Sequence, residues 1–410
     1  MSNINKKIIV FVEGISYGHI IRALAIARWL KPLKYEIYLA CPKRFHSIFF
    51  QEGLKLLDLS TACPQRIYQR LRQGKMMYLT EDLLDYYRQD ERLIRAIQPD
   101  IIVSEFRFTA LAVAKKMSIP TVGITDGTCH PNFKSDRTVP DPFARQSWMP
   151  LWLLDWIAQY TVVGDLINKQ TVQYLSKSWQ EAATIYGVEK LPTFFDYASQ
   201  GDICLLADHP ALINIKPLRP QDLYTGVLFW ENPDLLPPEI TQLNPLKKTV
   251  YICLGTQEAL ATNFLDTYVG KLLQQNVRVI VSRGRRSLQL TISHPNLLVF
   301  DFINERKLLP LVDVMVCPGG AMSTYQALGS GVPLMVLPAH ANQHFYAEAI
   351  ASRKLGYFLR PSRLKIDVLV EHTLDLLTND TIKANVARFQ QQLLTFQPKE
   401  QILNKIRLLV

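Results

Sequence analysis

The chain has 410 residues, 48% of them hydrophobic and 20% charged, which is too long for one ordinary core and predicts a globular protein of two domains. Its net charge of +10 is spread over both halves, with no basic stripe, which argues against a nucleic-acid binder. That excess suits an anionic small molecule or a negatively charged membrane surface, with a generally basic solvated exterior as the plain alternative.

The N-terminal run MSNINKKIIVFVEG passes straight from polar residues into a strand pattern and does not read as a signal peptide. KIIVFVEG is the first predicted strand. ISYGHIIRALAIARWL follows as a helix, with Ile20, Leu24, Ala27 and Leu30 at helical spacing. YEIYLAC then reads as a strand, RFHSIFFQEG as a helix closing on Gly53, KLLDLS as a short strand, and 81–98 as a long charged helix ending before Pro99. DIIVSEF, TALAVAKKMS and PTVGITD continue as strand, helix and strand. Such alternation predicts a parallel sheet covered on both faces.

The most apolar long stretch is 148–167, but Asp155, Gln159 and Asp165 interrupt it, so no membrane span is expected. If it is helical, Trp148, Trp152 and Trp156 share one face. That face would line a hydrophobic acceptor pocket, rest on a bilayer interface, or pack in the core.

DICLLAD is the next strand, and prolines at 210, 217, 220, 233, 237, 238 and 245 then mark a linker. A second alternation follows, through the strands TVYICLG, VRVIVSRG, NLLVFDF, LVDVMVC and VPLMVLP with helices between them. The expected fold class is α/β: two doubly wound Rossmann-like domains facing across a cleft. The divisions are 1–218, a linker over 219–245, a second domain over 246–385, and a helical segment 386–410 able to pack back on the first domain. The six cysteines lie far apart without a CxxC pair, and several sit in apolar runs. They indicate neither zinc nor a disulfide framework, and a reduced cytoplasmic setting fits.

The richest run is PGGAMSTYQALGSGVPLMVLPAHANQ, residues 318–343. A strand, a glycine turn and a helix bring free backbone amides and the positive end of a helix dipole together. Gly319 and Gly320 let a ligand approach the backbone of Ala321 and Met322, and Ser323 could donate to an anion. A tight turn before an ordinary capped helix would use the same residues. The wider spacing adds Gln326 one turn into the helix, and Asn342 and Gln343 at the end of the following strand. It also adds a loop around Ile303 that could hold a base, and Gly255 and Thr256 at the end of TVYICLG. Arg283 in SRGRR could approach a diphosphate or belong to a solvated loop.

The run 296–347 resembles the donor-binding signature of family 1 glycosyltransferases, the UDP-glucuronosyl/UDP-glucosyltransferase group with the GT-B fold. YTGVLFWENP is similar to that family's interdomain segment, and GHIIRALAIARWL to its first N-terminal helix. Pro318 stands where the family's diphosphate-contacting histidine is usual, Ser323 where threonine is, Gln326 where the ribose-binding glutamate is, and Asn342 where the sugar-binding aspartate is. Serine keeps the hydroxyl, and Gln326 and Asn342 keep hydrogen bonding without charge. Pro318 removes a donor, a loss worth about 1.5–3 kcal/mol for one charge-assisted contact.

The resemblance implies an inverting, metal-independent hexosyltransferase in which His19 is the base that deprotonates an acceptor hydroxyl. Imidazole titrates near neutrality and suits the task. A base histidine works best when a carboxylate holds its tautomer. Glu105 stands where many members of that family carry such an aspartate, which makes it the catalytic partner expected for His19, with Asp126 as a rival of similar placement and Glu13 as a third carboxylate near a strand end. The donor would be a UDP- or dTDP-sugar, used as a co-substrate with no further cofactor. The acceptor would be hydrophobic, bound near Asp126, Trp148 and Trp152, with peripheral membrane contact as an open alternative. A degenerate GT-B partner protein and a nucleotide-sugar epimerase or hydrolase are the other readings.

Overall fold

The structure, a computed structural model, describes residues 6–49, 52–135, 138–144, 147, 149–159, 161–228, 235–253, 262–284 and 290–409, without the side chains of 159, 161–168 and 262. The chain divides into two compact units. The first comprises Met1–Thr138, Met149–Trp230 and Gln397–Val410, and the second Val139–Trp148 and Glu231–Phe396.

The first unit is built on seven parallel strands: β1 (Lys7–Val12), β2 (Glu36–Cys41), β3 (Lys55–Asp58), β4 (Ile101–Glu105), β5 (Thr121–Thr125), β6 (Ile203–Leu206) and β7 (Asp222–Tyr224). Their order is β3-β2-β1-β4-β5-β6-β7. The chain thus starts in the middle, winds outward over β2 and β3, then returns to the other side of β1. The β1/β4 junction is therefore the topological switch point, where open α/β sheets bind ligands beyond their strand ends. Alternate residues explain the two-sided burial: Ile8, Val10 and Val12 enter one core, Ile9 and Phe11 the other.

The helix Tyr17–Leu30 lies in the first of these cores, with Ile20, Leu24, Ala27 and Leu30 fully buried. Ile402, Leu403 and Ile406 of the helix Lys399–Arg407 complete that core. Lys405 Nζ adds a hydrogen bond to the Pro220 carbonyl at 3.2 Å.

The second unit carries six parallel strands: β8 (Thr249–Cys253), β9 (Arg278–Ser282), β10 (Leu297–Phe300), β11 (Val314–Cys317), β12 (Leu334–Val336) and β13 (Gly356–Phe358). The order β10-β9-β8-β11-β12-β13 repeats the winding, with its own switch point between β8 and β11. Cys41, Cys204, Cys253 and Cys317 are buried strand residues.

Three features depart from the expected organisation. The passage 219–245 contains β7, an edge strand, where flanking prolines interrupt no second ladder. β13 has only three residues, too few for a period-two pattern to register. Residues 139–148 group with the second unit. There Arg360 Nη1 donates to the Val139 carbonyl at 3.3 Å, and the Ser362 amide donates to Asp141 Oδ2 at 2.8 Å. Among the described residues no helix is long and apolar enough to cross a membrane.

Candidate active site

At the first switch point, β1 ends and the chain turns through Gly14 and Ile15 to Ser16, the N-cap of the helix that begins at Tyr17. His19 is the third residue of that helix, and its side chain keeps 13% exposure. Glu105 closes β4 beside it, paired in register with Val12. His19 Nδ1 lies 2.8 Å from Glu105 Oε1, and the carboxylate is fully buried. A charged acceptor at that distance favours the tautomer with the proton on Nδ1, which leaves Nε2 as the lone-pair nitrogen.

Phe106 follows Glu105 and packs its ring 4.6 Å from the imidazole centroid. Its φ of 60° is left-handed. For a bulky residue this costs on the order of 1 kcal/mol, and the surrounding packing must hold it.

The other two carboxylates are each paired with an arginine. Asp126, just beyond β5, is ion-paired with Arg22, one helical turn after His19. Glu13 is wholly buried; it accepts from Tyr86 Oη at 3.0 Å and pairs with Arg107 Nη1 at 3.3 Å. Arg107 also reaches Asp90 at 3.1 Å and covers the Tyr86 ring at 3.4 Å. Burial pushes the Glu13 and Asp90 carboxyls up from their ordinary values, against the opposing pull of Arg107. Glu13 is thus committed to a buried ion network, while Glu105 holds the histidine.

In the second unit, β11 leads through Pro318 to Gly319, whose φ of 83° is open to glycine. A β-carbon there would come within 2.5 Å of Val336 Cγ1, so the turn is pressed against β12. Gly320 is the N-cap of the helix Ala321–Gly329, and a β-carbon on it would meet no atom within 4 Å. The amides of Ala321, Met322 and Ser323 therefore open this helix beside clear space, without intrahelical acceptors. Behind them Gln326 Oε1 and Thr324 Oγ1 are buried with no hydrogen-bond partner. Orphaned polar atoms beside an open helix start suit a polar ligand.

Gln343 is buried, and its Oε1 accepts from the Ala339 amide at 2.8 Å, which braces the loop after β12. Asn342 stands beside it in the helix Ala341–Ser352. Ile303 is a core residue whose side chain is buried, whereas the neighbouring Phe302 is 51% exposed. Phe302 lies just past the end of β10 and has no counterpart among the residues expected from the sequence. Arg283 pairs with Asp301 at 2.8 Å. Gly255, Thr256 and Trp148 lie outside the described residues. Trp152 and Trp156, at 64% and 53% exposure on the helix Leu151–Gln159, are surface residues, while Leu154 packs inward.

Glu305 was also missed. It accepts from Tyr251 Oη at 3.1 Å and is hydrogen-bonded by the Ser323 side chain, and burial raises its carboxyl above the ordinary range. It has no recognisable signature in the sequence, because its partners come from β8 and from the helix Ala321–Gly329.

Two doubly wound parallel sheets, each with polar groups gathered at its switch point, define the GT-B class. The comparisons with known proteins agree. Residues 267–408 match the family model "Erythromycin biosynthesis protein CIII-like, C-terminal domain". The chain is 27% identical over 366 residues to a PGL/p-HBAD biosynthesis glycosyltransferase of Mycobacterium tuberculosis, covering 88% of this chain and 82% of that one. It is 25% identical over 387 residues to a PGL/p-HBAD biosynthesis rhamnosyltransferase of Mycobacterium bovis, covering 93% and 83%. The crystal structure of glycosyltransferase VinC in complex with DTDP superposes with a TM-score of 0.69 at 15% identity, over 98% of this chain and 99% of that one. The chain thus has the GT-B fold, and its sequence is similar to glycosyltransferases over most of its length.

Proposed function

We propose that this protein moves a sugar from a nucleoside-diphosphate donor to a hydroxyl of a hydrophobic small-molecule or lipid acceptor, with inversion and without a metal. The observation that carries the reading is the 2.8 Å His19–Glu105 contact, which leaves Nε2 available as a base. Nε2 takes the proton of the acceptor hydroxyl, whose oxygen bonds to the anomeric carbon as the bond from that carbon to the diphosphate breaks. The bonding pair leaves with the diphosphate, and the imidazolium later returns its proton to solvent. Attack on the face of the sugar carbon opposite the departing diphosphate gives inversion.

The leaving charge is met by the amides of Ala321, Met322 and Ser323 and by the helix dipole, which supplies the stabilisation without a metal. Gln326 accepts from a ribose hydroxyl, Asn342 and Gln343 serve the sugar, and Phe302 stacks on the base. A dTDP- or UDP-sugar fits this assignment, and VinC, whose structure holds DTDP, makes dTDP-sugars the first to try. The exposed Trp152 and Trp156 suit an amphipathic acceptor or the bilayer surface that presents it.

A thermal-shift panel of UDP-, dTDP- and GDP-sugars tests the donor, followed by donor hydrolysis in the wild type and in His19→Ala. Stabilisation by one nucleotide class and hydrolysis lost in His19→Ala are expected. Absence of any nucleotide-sugar binding by calorimetry would overturn the reading.

A further inference from the structure

We infer that Arg22 is a positioning residue for the His19 base, sharing its guanidinium between Glu105 and Asp126 so that it fixes the imidazole tautomer and balances the charge around it. The inference rests on the reading of His19 as the base.

His19 and Arg22 stand three residues apart and so share one helix face. Arg22 Nη2 lies 2.7 Å from Glu105 Oε1 and 3.0 Å from His19 Nδ1, while Nη1 pairs with Asp126 Oδ1. The arginine side chain is 8% exposed and the two carboxylates 0% and 7%, so solvent screens these charges weakly. Nδ1 and Nη2 converge on one oxygen. With a carboxylate 2.8 Å from Nδ1, a lone pair on that nitrogen would face the Glu105 lone pairs, so the proton sits on Nδ1 and both nitrogens donate to Oε1.

The groups around His19 come from four elements. Arg22 is on its own helix, Glu105 and Phe106 at the end of β4, Asp126 after β5, and Glu13 at the end of β1, the last already tied to Arg107. Glu105, Asp126 and Arg22 together carry one negative charge. When Nε2 takes the acceptor proton, the four-group cluster becomes neutral. Without Arg22 two negative charges would face the ring, and the imidazole would hold its proton to higher pH and be withheld from base duty. Without the Asp126 charge the opposite follows. Removing both restores the single negative charge.

The test is an NMR titration of the His19 ring nitrogens, assigned by their loss in His19→Ala, in the wild type, Arg22→Gln, Asp126→Asn and the double variant. The wild type is expected to show the Nδ1–H tautomer. The Arg22→Gln midpoint is expected to rise by about 1 or more, and that of Asp126→Asn to fall. The double variant should return close to the wild type. A loss of packing alone would not produce opposite shifts that cancel. Coincident midpoints, shifts of the same sign, or a wild-type Nε2–H tautomer would overturn the inference. If Arg22→Gln does not fold, Asp126→Asn decides alone, because a midpoint that fails to fall sinks the charge balance. Activity is measured separately. Sugar transfer that survives in His19→Ala refutes the base reading, whereas transfer lost there with four coincident midpoints refutes only the role of Arg22.

Discussion

Gly319 and Val336 stand so close that a single added carbon would bring them to 2.5 Å, while the next glycine, Gly320, faces open space. The two therefore separate folding from binding. Gly319→Ala must relieve that overlap and adopt a φ of 83°, and is expected to lose about 1–3 kcal/mol of stability. Gly320→Ala, at a φ of −65°, should melt within a degree or two of the wild type and lose donor affinity, because its methyl occupies the ligand's approach. Thermal melts paired with donor calorimetry read both. Equal melting of the two variants would contradict this division.

Glu105→Gln keeps the size of the side chain and removes the charge that selects the Nδ1–H tautomer of His19. Turnover is expected to fall by roughly 100-fold or more, as for a base whose orienting carboxylate is neutralised, with donor affinity unchanged. His19→Ala should fall at least as far. Steady-state kinetics with a saturating donor decides, and a change confined to KM would assign Glu105 to binding.

Arg107 is wholly buried between Asp90 and Glu13. Arg107→Met leaves two carboxylates without their cation and should cost about 3–5 kcal/mol, measured from urea denaturation midpoints. The loss is expected to be smaller at acidic pH, where those carboxyls can take up protons. A cost that does not vary with pH would show that packing against Tyr86, rather than charge, dominates.

Glu305 has its carboxyl raised by burial, so the native state binds its proton more tightly than the unfolded chain. That contribution is fully present below the ordinary glutamate value of 4.5 and is lost as pH rises through the folded value. Glu305→Gln should therefore flatten the decline of stability from about pH 4.5 upward, as read by urea midpoints across that range. The neutral acid can also donate to Ser323, freeing the serine hydroxyl for a diphosphate, and glutamine preserves that donor. Donor binding in Glu305→Gln should consequently match the wild type at low pH and exceed it at high pH.

The long apolar strands, the helix carrying His19, and the glycine turn could all be read from local pattern, because each depends on neighbours within a few residues. The pairing of His19 with Glu105 rests on the family resemblance and on strand ends, which leave Asp126 and Glu13 as rivals. The structure distinguishes them by contact: Glu105 reaches His19, Asp126 pairs with Arg22, and Glu13 is taken up by Arg107. Arg22 is 104 residues from Asp126 in the chain, and a pairing over that span has no periodicity to reveal it. β7 and β13 escaped notice because three residues at a sheet edge carry almost no pattern. Phe106 gave no hint of its left-handed backbone, which tertiary packing imposes on a residue type that avoids it.

The helix Lys399–Arg407 closes the core around the first helix with Ile402, Leu403 and Ile406. During synthesis, therefore, the first unit cannot be finished before the strands of the second sheet have emerged. The core around the helix bearing His19 lacks Ile402, Leu403 and Ile406 until residues 399–407 have left the ribosome. A nascent chain halted before residue 397 should hold a folded second unit and a first unit that still binds chaperones.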